Sequence, residues 1–211
     1  MRNHRPLVDA ARGDFEAART AFGELRRSRM EHGATMYDHS VASSVAGVEI
    51  LAGDLAAAER ILHDAWVGLA EAGERGFRST VGALLAGVLV RLGRLAEAEA
   101  VVDESESLTS EDDMYTLVTA HRARALLASA RGDQDGALAH AEEGVRLADR
   151  TDYVEQRSES YAALGEVLIA AGHPAEAAAP LRRAVELAES KGSTVLAGRA
   201  RALLDSLGAP A

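Results

Sequence analysis

Histidine is the first residue type to question, because paired imidazoles hold metals and a single one can carry a proton at neutral pH. Seven are present, at positions 4, 32, 39, 63, 121, 140 and 173. No two stand four apart, so no single helix presents a two-histidine metal face. Asp38 with His39 and His63 with Asp64 are adjacent pairs, whose side chains would leave a helix in different directions. The expectation is ordinary surface and interhelix histidines, with a metal site assembled across repeats as the alternative. Six carboxylates, Asp103, Glu104, Glu106, Glu111, Asp112 and Asp113, crowd a short stretch whose oxygens could suit a hard cation. Ser110 followed by Asp113 reads instead as a helix-capping signal, with the other acids in a solvated loop. Arg26, Arg27 and Arg29 form the basic cluster; at a helix C-terminus it complements the dipole, the alternative being a docking contact to an acidic domain.

Other chemistries are closed by composition. There is no cysteine, which removes disulfides, thiol nucleophiles and thiolate-bound zinc or iron–sulfur clusters. Lys191 is the sole lysine, and no phosphate-binding glycine loop precedes it; GxGxxG, GxSxG and HExxH are likewise missing. No acid/base or nucleophile constellation marks an enzyme, so a non-enzyme is expected, and no cofactor or metal is implied. The formal charge of −10 opposes nucleic-acid binding, which demands a basic footprint. It is uneven: residues 1–30 carry seven arginines against four acids. No stretch approaches a membrane span and the N-terminus lacks the apolar segment of a signal peptide, so a soluble, cytoplasmic chain is expected. The arginine-to-lysine ratio and the alanine load suggest a GC-rich bacterial genome.

Composition also points to the scaffold. Forty-four alanines and 25 leucines among 211 residues, with only 8 aromatics, predict an all-α protein. Five turns resemble one another, at Gly13-Asp14, Gly53-Asp54, Gly93-Arg94, Gly132-Asp133 and Gly172-His173-Pro174, and their glycines stand 40, 40, 39 and 40 residues apart. Glycine suits the left-handed residue that closes a helix; Asp14, Asp54 and Asp133 can cap the next one, and Pro174 fits a helical first turn. Ala177, Leu181, Ala184, Val185 and Ala188 share one helical face, and Leu164, Leu168 and Ala171 share that of the partner helix. The spacing predicts helices near 35–52, 54–72, 76–92, 94–107, 112–131, 133–149, 154–171 and 174–190. A half-formed unit with a helix at 14–31 precedes them, and a capping helix at 194–207 follows. Trp66 is expected in the core between repeats, with a ligand platform as the alternative.

Tyr161, Leu164-Gly165, Leu168, Gly172, Ala177, Leu181 and Ala184 fall at the signature spacing of the tetratricopeptide repeat, which the chain resembles. Leu85-Ala86, Leu89, Gly93, Ala98 and Val102 repeat it, as do Val45-Ala46, Gly53, Ala58, Leu62 and Ala65, and more weakly Ala125, Gly132, Ala137 and Ala141. The departures are a period of about 40 where the family has 34, Arg124 in place of a leucine, Glu189 where a proline is usual, and Pro180 inside a helix. The resemblance implies one α-solenoid of helix-turn-helix units over 1–211: a partial unit 1–33, units 34–73, 74–110, 111–151 and 152–192, and a capping helix 193–208. More narrowly, the stretches 49–59, 73–77 and 165–174 resemble the C-terminal repeat arrays of large bacterial signalling ATPases and cyclase-like or transcriptional regulators. Pro6 leaves the first unit only a short leading helix, so a fragment or a shortened relative is expected.

In this family the first helix of each unit lines a concave face. By position those residues would be Ser40, Ser43, Gly47 and Ile50; Thr80, Ala83, Gly87 and Val90; Thr119, Arg122, Leu126 and Ser129; and Glu159, Ala162, Glu166 and Ile169. A branch that clamps carboxylate tails uses Lys, Asn and Arg there, whereas Arg122 is the only cation here. The resemblance therefore implies a non-catalytic scaffold that binds a protein or peptide in a groove of small side chains, as the docking or sensing array of a bacterial regulator. Tight packing of adjacent first helices would explain the small residues equally well. A small-molecule-sensing module is the alternative function, and open array ends could pair two chains as a homodimer. Neither nucleic acid nor membrane is expected as a partner.

Overall fold

Turn glycines and their neighbours set where each helix stops. In a computed structural model that describes residues 5–30 and 41–208, the helices are α1 (Arg5–Ala11), α2 (Phe15–Met30), α3 (Ala42–Ala52), α4 (Leu55–Glu71), α5 (Gly76–Arg91) and α6 (Leu95–Leu108). They continue as α7 (Met114–Ala130), α8 (Gln134–Ala148), α9 (Val154–Ala170), α10 (Pro174–Ser190) and α11 (Thr194–Ser206). The five repeat-turn glycines all have φ between 76° and 89°, which an L side chain adopts only with strain. Behind each, the next N–H reaches back to close a Schellman turn, as Asp54 N does to Glu49 O (2.9 Å) and His173 N to Leu168 O (2.8 Å).

The following helix then starts on a carboxylate. Asp14, Asp54 and Asp133 accept from the N–H of Ala17 (3.2 Å), Ala57 (2.9 Å) and Gly136 (3.0 Å). Asp113 caps α7 in the same way through Thr116 N (3.1 Å), so the cap lies three residues beyond Ser110, where the sequence pattern placed it. Arg94 replaces the aspartate in the third turn and works differently: it grips Glu97 on α6 and Glu59 on α4. Its guanidinium holds the Glu97 carboxyl below the usual range. Pro174 occupies the first turn of α10, and Pro180 sits inside that helix, which continues past it to Ser190. Residues 35–40 of the helix expected at 35–52 lie outside the described residues.

Alanine sets the closeness of the hairpins. Ala18, Ala58, Ala98, Ala137 and Ala177 each stand five residues after a turn glycine, and each is fully buried. A larger side chain there would push the paired helices apart. The chain divides into two compact units, Met1–Ser110 and Glu111–Ala211. In the first, Ala10, Ala18, Phe22 and Val48 make one cluster, with Leu62, Leu69, Val81 and Leu85 fully buried further along. Trp66 is 8 % exposed and packs on α5, a core residue as expected. In the second, Ala125, Ala137, Ala141 and Val167 form one cluster. Leu168, Ala177 and Leu181 form another, which Leu203 and Leu204 of α11 and Leu207 just beyond it cover.

Candidate functional site

Adjacent first helices bring the expected partner-facing residues together within each unit. In the first unit these come from α3 and α5. Ser43, Gly47, Ile50, Thr80 and Gly87 are half-buried, Ala83 is fully buried and Val90 is 9 % exposed, while Ser40 lies outside the described residues. A Cβ added at Gly47 or Gly87 would meet no atom within 4 Å. The triple variant Ser43→Arg, Gly47→Gln, Gly87→Gln is therefore expected to fold with an unchanged or higher Tm, since Gln is the better helix former. A thermal melt by circular dichroism checks this; a large fall in Tm would show the glycines to be packing positions.

The second unit has a more polar face, built on α7 and α9. Gln156 is 4 % exposed and its amide nitrogen donates to Tyr115 O (2.9 Å) and Thr119 Oγ1 (3.0 Å), bolting α9 to α7. Thr119, 3 % exposed, donates in turn to Tyr115 O. Arg122 and Glu159 form an ion pair across the same two helices, so the cation expected to greet a ligand already has a carboxylate. Leu126, Ser129, Ala162, Glu166 and Ile169 are half-buried.

One turn before Thr119 the face ends in exposed rings. Tyr115 and Tyr153 are 40 % and 49 % exposed and stand edge to face, with centroids 6.0 Å apart. Partial desolvation, then Glu159, Glu155 and Asp113, hold the Tyr115 phenol above its ordinary range, against the opposing charge of Arg122. Phe77, 54 % exposed, occupies the same place at the start of α5. Sequence reasoning passed over these rings, yet a signal was present. Tyr37, Phe77, Tyr115 and Tyr153 recur at spacings of 40, 38 and 38. Tyr37 lies outside the described residues.

The other candidates are placed as follows. Asp103, Glu104 and Glu106 belong to α6, Glu111 and Asp112 to the turn after it, and Asp113 to the α7 cap. Arg26 and Arg27 are exposed near the end of α2, and the Arg29 side chain is outside the described residues. His121 and His140, which single-helix spacing does not pair, meet across the α7–α8 hairpin. No described helix is long and apolar enough to cross a membrane.

Stacked helical hairpins joined by glycine turns, with the first helix of each offering a surface, define an all-α repeat protein. Within it the model of the tetratricopeptide-repeat family matches residues 80–104, 118–143 and 158–183. It is similar in fold to the nearly identical TPR-like repeats of a Podosopora anserina protein designated a kinesin light chain, at 16% identity and TM-score 0.57 over 90% of this chain and 93% of that one. It is also similar to the Signal Transduction ATPase with Numerous Domains protein of Pyrococcus horikoshii, which has a tetratricopeptide repeat sensor. There the identity is 18% and the TM-score 0.63, over 96% of this chain and 31% of that one. No curated protein matches the chain.

Proposed function

We propose that the chain is a non-catalytic interaction scaffold that binds a peptide or helix of a partner on the face made by its first helices. The setting we infer is the docking or sensing array of a bacterial signalling regulator. The pair Tyr115–Tyr153 carries this reading. Aromatic residues are scarce in the chain, and these two rings are spent at the surface, side by side at the mouth of the face. Aromatics of this kind dominate binding hot spots. The carboxylates of Asp113, Glu155 and Glu159 around Tyr115, and the acidic charge of the whole chain, favour a basic side chain over the rings. The sensor repeats of the Pyrococcus protein support the regulatory setting.

Selection from a random peptide library tests the reading. Peptides retained by the wild type should be enriched in Arg and Lys, and should bind the variant Tyr115→Ser, Tyr153→Ser at least tenfold more weakly at equal Tm. Peptides that bind both proteins equally, or no enrichment at all, would remove this face as the working surface. Stabilisation by metabolites and by no peptide would favour the small-molecule-sensing alternative.

A further inference from the structure

The α7–α8 hairpin brings together two histidines that no scan of a single helix would pair. His121 leaves α7 and His140 leaves α8, both half-buried, and their Nδ1 atoms stand 3.2 Å apart with ring centroids at 5.3 Å. Two imidazole nitrogens bound to one tetrahedral zinc, each at its usual distance, would be about 3.3 Å apart, with ring centroids about 5.2 Å apart. The pair therefore already holds the spacing that two ligands of one ion require. We propose that His121 and His140 form a two-imidazole site for a divalent transition-metal ion, Zn²⁺ or Ni²⁺, bridging α7 and α8.

Imidazole nitrogen selects this class of ion over Ca²⁺ or Mg²⁺, which take oxygen ligands. Among the described residues no group of three His, Asp or Glu gathers around one point, so two imidazoles are the protein's share and water fills the remaining positions. Glu143 on α8 lies within electrostatic reach of His121 and adds negative charge nearby, although its carboxylate is gripped by Arg146. Gly144, one turn beyond His140, faces the base of the His121 side chain: a Cβ there would lie 3.5 Å from His121 Cβ, an ordinary van der Waals contact. The hairpin is closed at its other end by the Gly132 turn, so an ion held by both histidines would clamp the two helices. The site would stabilise the folded unit, by an amount that grows with the logarithm of metal concentration once this exceeds Kd.

Titration of the tag-free chain with zinc chloride, by calorimetry and by thermal melts, tests the site. The expected result is one ion per chain and a Tm that rises with zinc. Binding should weaken at least tenfold in both His121→Gln and His140→Gln, and stay unchanged in the control His63→Gln. No heat of binding, or equal binding by all four proteins, would overturn the proposal. Imidazole resonances of the unmutated chain, followed while Ni²⁺ is added, give a reading that needs no variant to fold. Those of His121 and His140 should broaden first; earlier broadening of His63 or His173 would place the metal elsewhere and overturn the assignment.

Discussion

Gly165→Ala is expected to destabilise the protein by about 1–3 kcal/mol, although alanine is the better helix former by about 1 kcal/mol. A Cβ at this position would lie 2.5 Å from Leu181 Cδ2 and 2.6 Å from its Cγ. Leu181 is fully buried beneath α11, in the cluster with Leu168 and Ala177, so it has little room to withdraw. The complementary deletion, Leu181→Ala, should cost about 2–5 kcal/mol through lost burial and the cavity left behind. The two changes share one contact, and the double variant should therefore be more stable than the sum of the singles predicts. Gly198→Ala on α11 is the control: its Cβ meets nothing within 4 Å, and it should stabilise by up to about 1 kcal/mol. Urea denaturation followed by circular dichroism reads all four. If Gly165→Ala behaves like Gly198→Ala, the two helices do not approach as closely as Gly165 allows.

The turn glycines, unlike Gly165, show how much of the architecture is written in the sequence. A helix-breaking residue recurring every 39 or 40 residues, followed in three of five turns by an aspartate and then by small residues, has one economical explanation. The left-handed φ values of the turn glycines and the Asp14, Asp54 and Asp133 caps follow it closely. These features are local: each depends on a handful of neighbouring residues and needs no knowledge of what packs where. For the same reason most helix ends fall within two residues of their expected places, as α10 and α11 do.

What spacing along the chain does not reveal is which residues meet across it. His121 and His140 are 19 apart, a separation that means nothing until a hairpin of this length closes and its turn brings them level. Arg122 looked like a cation available to a ligand, but its counter-charge Glu159 is 37 residues away, on the first helix of the next repeat. Thr119 reads as a groove residue and is instead held beneath Gln156. Exposure is equally hidden: Tyr115 and Tyr153 share the composition of core residues, and only the start of a helix places them at the surface. Both kinds of information come from the repeat-to-repeat fit, which the volumes of the small residues determine.

That fit also governs the first unit, where Trp66→Ala is expected to have the largest single effect, about 3–5 kcal/mol. The indole is hemmed in by α5 and covered by Arg78. Gly82 of α5 is so close that a Cβ there would lie 2.4 Å from Trp66 Cζ3, and Ser105 of α6 comes within 3.0 Å of the same point. Arg78 lies over the ring, 4.0 Å from its centroid, while pairing with Glu104 at 2.7 Å. Gly82→Ala should therefore push the indole toward water. Because Trp66 is the only tryptophan, the emission maximum of the whole protein reports this one movement. A red shift with a fall in stability is expected for Gly82→Ala, and a smaller red shift for Arg78→Ala, which uncovers one face of the ring and leaves Glu104, already half in solvent, hydrated. An unshifted emission maximum together with raised stability in Gly82→Ala would mean that Trp66 is not wedged between the repeats. The seam between α4 and α5 would then be held by its aliphatic residues, Leu62, Leu69 and Val81, and tolerance of a side chain at position 82 would follow from that looser fit.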